Sequence, residues 1–413
     1  MYDNVIAAID IGTDSIKILV AEKRDDFLYF EVLGFVRVPC SGIIKGTIVN
    51  IDEVSKSIEK GVKELEKVYS EGIDSVYINI GGSQLSSTHS DGSIMISMAN
   101  RKILEKDIER VLDSSIPFSI KNEKEILGIF PKEYMIDDQY SYDPLKSRGK
   151  KLKAKTLILT ILNSHLEKVK GVVSQTNLHV EKIVPSFLAD SAASLEEKQK
   201  EGGVALVNIG ADNINLSIFK NNKLLYFTVL PFGSANITND IAIKLSCKTS
   251  TAERIKKEIE NLLELEKTNR KKIELTQGKN EWEENLVFSP KEIYNNVILV
   301  RAQEIFEQVN LKIEEAIKKE LLPFGVVIVG GGAKLFNIVD IAKRKLNLNA
   351  EIGVPKLFNL IGEDPGAVTV CGLILTRYKD KNFKSQKLTV KGIGNNIKKN
   401  IKILISKIKN LKN

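Results

Sequence analysis

The alternation of apolar and polar positions lays out most of the elements of this chain. Residues 5–11 and 16–21 are apolar, β-branched runs parted by Gly12-Thr13-Asp14-Ser15. That pattern predicts two strands joined by a tight turn. Residues 27–38 extend it as a third strand. Val54, Ile58, Val62, Leu65 and Val68 recur at helical spacing and predict a helix over 52–69 that ends near Gly72. Residues 74–81 read as a buried strand. From about 84 to 161 the character changes. Polar loops, a short helix at 104–113 and strands near 126–136 and 152–161 predict an inserted α+β subdomain. A helix at 164–176, a strand at 178–184 and, after Pro185, a helix at 186–197 follow.

The order then restarts. Residues 203–219 predict a second hairpin and 223–230 its third strand. Helices at 236–246 and 250–265 come next, then a highly charged segment at 266–290. An amphipathic helix is predicted at 291–319, with Ile298, Ala302, Ile305, Val309 and Ile313 along one side. A strand at 325–329 runs into Gly330-Gly331-Gly332, followed by helices at about 335–345 and 364–377. The segments AAIDIGTDSIKILV (7–20) and ALVNIGADNINLSIF (205–219) fall into register at a shift of 198 positions. Ile11, Gly12, Asp14 and Ile16 then meet Ile209, Gly210, Asp212 and Ile214. With like elements around each copy, the chain reads as two related lobes, each carrying an insertion.

Charge changes this picture at one end. The net charge is +8, but Arg377–Asn413 holds twelve Lys/Arg and one acid, Asp380, for +11, which leaves −3 on the other 376 residues. The body therefore offers no general nucleic-acid face, no nucleic-acid partner is expected, and the tail has a task of its own. Within GIGNNIKKNIKILISKIKNLKN (392–413), Ile397, Ile401, Leu404, Ile405, Ile408 and Leu411 fall inside one arc of about 120° on a helical wheel. Lys398, Lys402 and Lys409 flank one edge and Lys407 the other, and only Ile403 points away. A basic amphipathic helix of about 30 Å fits an interfacial anchor on anionic membrane lipids. The expected membrane contacts are Ile397, Lys398, Ile401, Lys402, Leu404, Ile405, Ile408 and Leu411. One copy would bind reversibly, and a row of copies firmly.

Other classes drop out. Cys40, Cys247 and Cys371 lie far apart with no Cys-x-x-Cys, so a reducing compartment is expected and a disulfide framework is not. His89, His165 and His179 lack metal-ligand spacing, so no zinc site is expected. Asp3 precedes the first strand directly, which does not read as a signal peptide. No run of about 18 apolar residues predicts a membrane-spanning helix.

The turns carry the candidate chemistry. A hairpin turn of glycine and small polar residues presents backbone N–H groups on one side, a set that binds phosphate oxygens. Gly12 permits close backbone approach. Thr13 and Ser15 offer hydroxyls, and Lys17 a cation. Asp10 would repel phosphate directly, so it is expected to act through water on Mg²⁺. Gly210-Ala211-Asp212-Asn213 is the expected opposing jaw. Val329-Gly330-Gly331-Gly332-Ala333-Lys334 would let a flat ring or ribose lie against bare backbone.

On these residues the chain resembles the actin-like ATPase superfamily, and within it the FtsA family of bacterial cell-division proteins. AIDIGTDSIKILV, ALVNIGADNINLSIF and VVIVGGGAKLFNI stand in the superfamily's order. PSFLADSAASL (185–195) and DPGAVTVCGLIL (364–375) resemble its two interdomain helices. IFPKEYMIDDQYSYDPL followed by KLKAKTLILTIL resembles the subdomain inserted in FtsA. The resemblance runs from about residue 5 to residue 413. It implies an α/β, actin-like (ribonuclease H-like) duplicated two-lobed fold with an inserted α+β subdomain in the first lobe. The implied division is 1–83 plus 162–197 for the first lobe and 84–161 for the insertion. The second lobe takes 198–237 plus 326–378, its outer subdomain 238–325, the basic linker 379–392 and the amphipathic helix 393–413.

The resemblance also implies roles. ATP and Mg²⁺ are the implied cofactors. Asp10, Gly12, Thr13, Asp14, Ser15 and Lys17 would form the first phosphate loop. Asn208, Gly210, Ala211 and Asp212 would form the second. Gly330, Gly331, Gly332 and Lys334 would hold the adenosine, with Glu253 and Lys256 reaching the ribose or adenine. Hydrolytic relatives begin the second motif with Asp. Asn208 is uncharged, a poor metal ligand and no base, so ATP is expected to be held well and hydrolysed slowly. The implied partners are further copies of the chain, in filaments, and the C-terminal peptide of the tubulin-like protein FtsZ. That peptide would bind residues 238–325, where Arg301 stands at the family's peptide-contacting arginine. The expected role is an ATP-binding tether of the FtsZ ring on the cytoplasmic face of the cell membrane, at the division site. Two alternatives share parts of this pattern. A sugar-kinase-like phosphotransferase would need a carboxylate base in the cleft and leaves the tail without a task. A PilM-like soluble scaffold would lack the terminal helix.

Overall fold

The computed structural model describes residues 4–24, 29–97, 102–120, 123–269, 272–276 and 284–379. The tail at 393–413, with every membrane contact named above, and the linker from residue 380 on lie outside the described residues.

The chain opens with strands β1 (Val5–Ile11), β2 (Ser15–Lys23) and β3 (Phe30–Pro39), a small hairpin of β4 (Ile43–Ile44) and β5 (Thr47–Ile48), helix α1 (Ile51–Glu66) and β6 (Ser75–Ile80). Asn50 caps α1 by accepting from the Glu53 N–H, which satisfies one of the donors left open at a helix start. The next elements are β7 (Leu85–Met95), α2 (Glu105–Ser114), β8 (Lys124–Ile136), β9 (Gln139–Ser141) and β10 (Lys151–Leu162). After α3 (Asn163–Ser174), β11 (His179–Pro185), α4 (Ser186–Ser194) and α5 (Glu197–Gly202), the second set begins. It comprises β12 (Val204–Ile209), β13 (Ile214–Lys220), β14 (Lys223–Leu230), α6 (Ser234–Leu245) and α7 (Thr249–Asn269). Strands β15 (Ile273–Leu275) and β16 (Leu286–Phe288) precede α8 (Pro290–Ile293), a π turn at Tyr294–Ile298 and α9 (Leu299–Ala316). The last elements are β17 (Val326–Val329), α10 (Ile338–Leu346), β18 (Ala350–Ile352) and α11 (Val368–Lys379).

The duplication extends to sheet topology. One sheet has the order β11-β6-β1-β2-β3, the other β18-β17-β12-β13-β14. In both, a central strand pairs antiparallel with its hairpin partner and parallel with the strand on its other side. Asp10 faces Lys17 across the first hairpin as Asn208 faces Asn215 across the second. Ile9, Ile18 and Leu19 in one sheet, and Val207, Ile214 and Leu216 in the other, are fully or almost fully buried. Each such side chain removed from water contributes about 1.5–3 kcal/mol. Helices α4 and α11 cross between the sheets. A Cβ on Gly372 would stand 1.9 Å from the Ala189 carbonyl oxygen, so only hydrogen fits at the crossing.

Residues up to Leu85 together with Ser164–Lys379 form one compact unit, and Ser86–Asn163 another. The second unit is a four-stranded sheet of order β7-β10-β8-β9 over α2, with Ile103, Val111, Leu152 and Ile158 in its core.

Three expectations change, and one segment for which no element was expected holds a ladder. Polar loops were expected after residue 84, but Leu-Ser-Ser-Thr-His-Ser-Asp-Gly-Ser-Ile-Met forms β7, an edge strand whose pairing overrides its weak pattern. The helix expected over 186–197 is two helices, broken where Leu195 takes extended dihedrals. The charged segment holds the short β15–β16 ladder. The helices expected at 335–345 and 364–377 start later, at Ile338 after a left-handed Asn337 and at Val368 after a single 3₁₀ turn capped by Asp364.

Candidate functional site

The two hairpin turns are built alike. The Gly12 N–H donates to the Ser15 carbonyl at 3.2 Å, and the Gly210 N–H to the Asn213 carbonyl at 2.9 Å. A Cβ on Gly12 would meet that Ser15 oxygen at 2.9 Å, and one on Gly210 the Asn213 oxygen at 3.0 Å. At both turns a side chain would crowd the equivalent carbonyl, which favours glycine for the same steric reason. Both turns line one cleft of about 630 Å³, together with Gly330, Gly331, Gly332, Lys334, Glu253 and Lys256. The cleft thus brings together all the expected cofactor residues: Asp10, Gly12, Thr13, Asp14, Ser15 and Lys17 from one lobe, and Asn208, Gly210, Ala211 and Asp212 from the other.

Most of the charges lining the cleft are paired. Asp10 is buried. Its Oδ2 accepts from Lys17 Nζ and its Oδ1 from Asn79 Nδ2, both at 2.7 Å, while Asn79 Oδ1 accepts the Ile11 N–H at 2.7 Å. Lys17 is therefore neither a solvated strand residue nor a free cation. Arg37 donates to Ser15 Oγ at 3.0 Å and to Asp14 at 3.3 Å. Across the cleft, Lys256 pairs with Glu253 at 2.6 Å and donates to Thr238 Oγ1 at 2.8 Å. Burial pushes the Lys256 ammonium below its ordinary value, against the pull of Glu253. For Glu253, burial raises the carboxyl, but the charge and hydrogen bond of Lys256 outweigh it and hold it below the usual range. Lys334 pairs with Asp364 at 2.7 Å.

The glycines of the third turn differ in role. Gly330 has φ +89°, where a Cβ would be strained and would meet Asn208 Oδ1 at 2.3 Å. A Cβ on Gly332 would meet Ile209 Cγ2 at 2.3 Å. One on Gly331 meets nothing within 4 Å. Two of these glycines serve packing, and the third leaves bare backbone at the cleft.

Two FtsA domain models match this chain. The model for "Cell division protein FtsA" matches residues 205–372, and that for the SHS2 domain inserted in FtsA matches 82–160, together more than half of the sequence. The chain belongs to the FtsA family. It is 29% identical to FtsA of Bacillus subtilis over 94% of this chain and 87% of that protein. It is also 29% identical to FtsA of Borreliella burgdorferi, over 94% of each, and 25% identical to FtsA of Escherichia coli K12, over 90% of this chain and 89% of that one. A model for type IV pilus assembly protein PilM also matches, at 141–267. Among solved structures, the PilM–PilN pilus biogenesis complex aligns at TM-score 0.59 and 14% identity, over 90% of this chain and 98% of that one. MreB5 of Spiroplasma citri bound to ADP aligns at 0.51 and 12%, over 92% and 98%. At such identities the likeness is one of fold, and the fold is actin-like.

Further polar residues stand at the cleft wall, behind it and on the outer subdomain. Asn79 and Ser186 form a buried link behind Asp10, with Asn79 Nδ2 3.2 Å from Ser186 Oγ. His165 is buried at the cleft wall with Nδ1 unpartnered. Its imidazole is pushed below its ordinary value by burial and by Lys168. Asp190, on α4, is fully buried and accepts from Asn208 Nδ2 and Thr369 Oγ1, both at 2.7 Å. Its signal in the sequence was a lone acid in the apolar PSFLADSAASL. Arg301, expected at a peptide surface, grips Asp240 of α6 with Nε at 2.6 Å and Nη2 at 3.2 Å, and Glu304 at 2.7 Å.

Proposed function

We propose that this FtsA-family chain binds ATP between its lobes, assembles into filaments, and ties the FtsZ ring to the cytoplasmic face of the cell membrane at the division site. The observation that carries the nucleotide reading is the pair of identically built glycine turns facing one cleft beside the bare backbone of Gly331. A cleft of about 630 Å³ is of the size that takes a nucleotide. The turns around Gly12–Ser15 and Gly210–Asp212 would hold the phosphates, Gly330–Gly332 the adenosine, and Glu253 and Lys256 its sugar or base. When bound, ATP would supply a ligand common to both lobes. Both Asp10 oxygens already accept hydrogen bonds, so Mg²⁺ would meet Asp10 through water. MreB5, which shares the fold, was solved with ADP.

The tether reading rests on the family and on the sequence of the tail. The basic amphipathic stretch at 393–413 suits an anionic leaflet, and the linker at 379–392 would let the body stand off from it. For the FtsZ peptide, the surface around the Arg301–Asp240 pair carries an apolar side chain, Ile243, at 78% exposure. The alternative of a PilM-like scaffold is favoured by the PilM model over 141–267.

The deciding experiment is co-sedimentation with anionic liposomes. The full chain and a chain ending at residue 391 are compared with and without Mg-ATP. Pelleting of the full chain alone, stronger with ATP, supports the tether. Both chains remaining in the supernatant overturns it and moves the soluble scaffold ahead, to be tested by binding of a pilus membrane-protein peptide.

A further inference from the structure

Asp10 and Asn208 hold equivalent places in the two hairpins, and both line the cleft. Asp10 brings a carboxylate to the cleft wall, whereas Asn208 brings an amide whose nitrogen points away from it. Asn208 Nδ2 donates to Asp190 Oδ2 at 2.7 Å, and Asp190 Oδ1 accepts from Thr369 Oγ1 at 2.7 Å. Asp190 is 0% exposed. Three elements meet at this carboxylate: α4, β12 and α11, beside the crossing at Ala189 and Gly372. A carboxylate does accompany the second turn, then, but one side chain behind the cleft wall.

We propose that Asp190 is a positioning residue paired with Asn208. It pins the Asn208 amide and keeps the second lobe's carboxylate out of the cleft, so that bound ATP is held rather than turned over. This rests on the nucleotide reading above. An acid at 208 would put a second carboxylate where the amide nitrogen now sits, 2.7 Å from Asp190. Two carboxylates that close cannot both ionise. An acid at 208 would have to share a proton with Asp190, a cost the neutral amide avoids. Hydrolysis forms a bond from the water oxygen to the terminal phosphorus and breaks the bond to the bridging oxygen, which leaves on ADP with its electron pair. One proton is released. At the second turn a carboxylate could take that proton and an amide cannot, while both Asp10 oxygens are engaged by Lys17 and Asn79.

Exchanging the two side chains isolates the effect. Asp190→Asn with Asn208→Asp keeps one amide-to-carboxylate hydrogen bond with its direction reversed, and moves the charge to the place Asp10 holds in the other lobe. The test uses the full chain, each single variant and the exchanged pair. Each is followed by thermal melting at pH 8, by equilibrium binding of ATP and by phosphate release. Asn208→Asp alone is expected to melt lower than the parent, and the exchanged pair to recover most of that loss. The exchanged pair is expected to release phosphate faster by about tenfold or more, with ATP affinity within about threefold of the parent. The proposal is overturned if the exchanged pair melts no higher than Asn208→Asp, or if it binds ATP yet hydrolyses it no faster than the parent. If the parent binds no ATP, the nucleotide reading itself falls and takes the withheld charge with it. The melting comparison, which needs no ligand, still decides whether the two side chains act as a pair.

Discussion

Lys45 and Asp212 join the lobes at the mouth of the cleft: the Lys45 backbone N–H donates to Asp212 Oδ2 at 2.8 Å. Lys45 has φ 50° and Gly46 φ 69°, the two left-handed residues of a two-residue turn between β4 and β5. Gly46 then sits so close to the second turn that a Cβ would meet Asn213 Nδ2 at 2.3 Å. The first lobe thus straps itself to the Gly210–Asn213 turn of the second. Asp212→Ala removes the acceptor, whereas Asp212→Asn keeps an oxygen for Lys45 but loses the charge. A partly exposed bond of this kind is worth about 1 kcal/mol. ATP dissociation should therefore quicken about fivefold in the Ala variant and much less in the Asn variant. Equal effects in a stopped-flow chase would mean that charge, not the strap, matters.

Gly331→Arg separates binding from folding. Gly331 lines the cleft and nothing lies within 4 Å of a Cβ built there, so a side chain leaves the backbone without a clash. The melting temperature should stay within about 2 °C of the parent, since surface changes of this kind cost about 0.5 kcal/mol or less. ATP affinity should drop at least tenfold, by roughly 1.4 kcal/mol or more. The same change at Gly330, with φ +89° and Asn208 Oδ1 in the way, should instead lower the melting temperature sharply. Unaltered ATP affinity in Gly331→Arg would remove the third turn from the nucleotide site.

What could be read from the sequence follows from what is local. The hairpins were legible because Gly12 and Gly210 answer to their own turn carbonyls, three residues away, and because their strands are buried enough to read as apolar runs. Strand β7 was not legible, since Ser and Thr at a sheet edge carry no periodic signal and the pairing with β10 fixes it. The weight of Asp190 was hidden for a different reason. Its partners Asn208 and Thr369 lie 18 and 179 residues away, and only the crossing of α4 and α11 brings them together. Likewise the pairing of Lys17 with Asp10, and of Lys334 with Asp364, turns cations expected to face a phosphate or adenosine into members of existing ion pairs.

Arg301 offers a stability test of the outer subdomain. Its fork binds Asp240 through two nitrogens and so ties α9 to α6. Lysine cannot reproduce that geometry. Arg301→Ala and Arg301→Lys should both destabilise, by roughly 0.5–1 kcal/mol given the partial exposure of the pair. If the FtsZ peptide docks beside this pair, Arg301→Ala should also weaken binding of a labelled peptide in an anisotropy titration. A loss of stability with unchanged peptide binding would place the peptide elsewhere.

Asp190 should also set a pH dependence of stability. Burial raises its carboxyl most, and the charge of Asp10 adds to this. The hydrogen bonds from Asn208 and Thr369 and the charge of Lys17 oppose the rise, and the result is about 7. In the unfolded chain the same group titrates near 3.9, roughly. Between those values the folded state holds a proton that the unfolded state has lost, so stability falls as pH rises from about 4 to 7 and levels off above. The full difference of about three pH units corresponds to roughly 4 kcal/mol, an upper figure for so buried a group. Asp190→Asn has no proton to lose and should remove this part of the slope. Chemical-denaturant unfolding of parent and variant at pH 5, 6, 7 and 8 measures it. The difference in stability between variant and parent should grow with pH and stop growing above about 7. Parallel curves for the two proteins would mean that Asp190 stays ionised throughout, held by Asn208 and Thr369 alone.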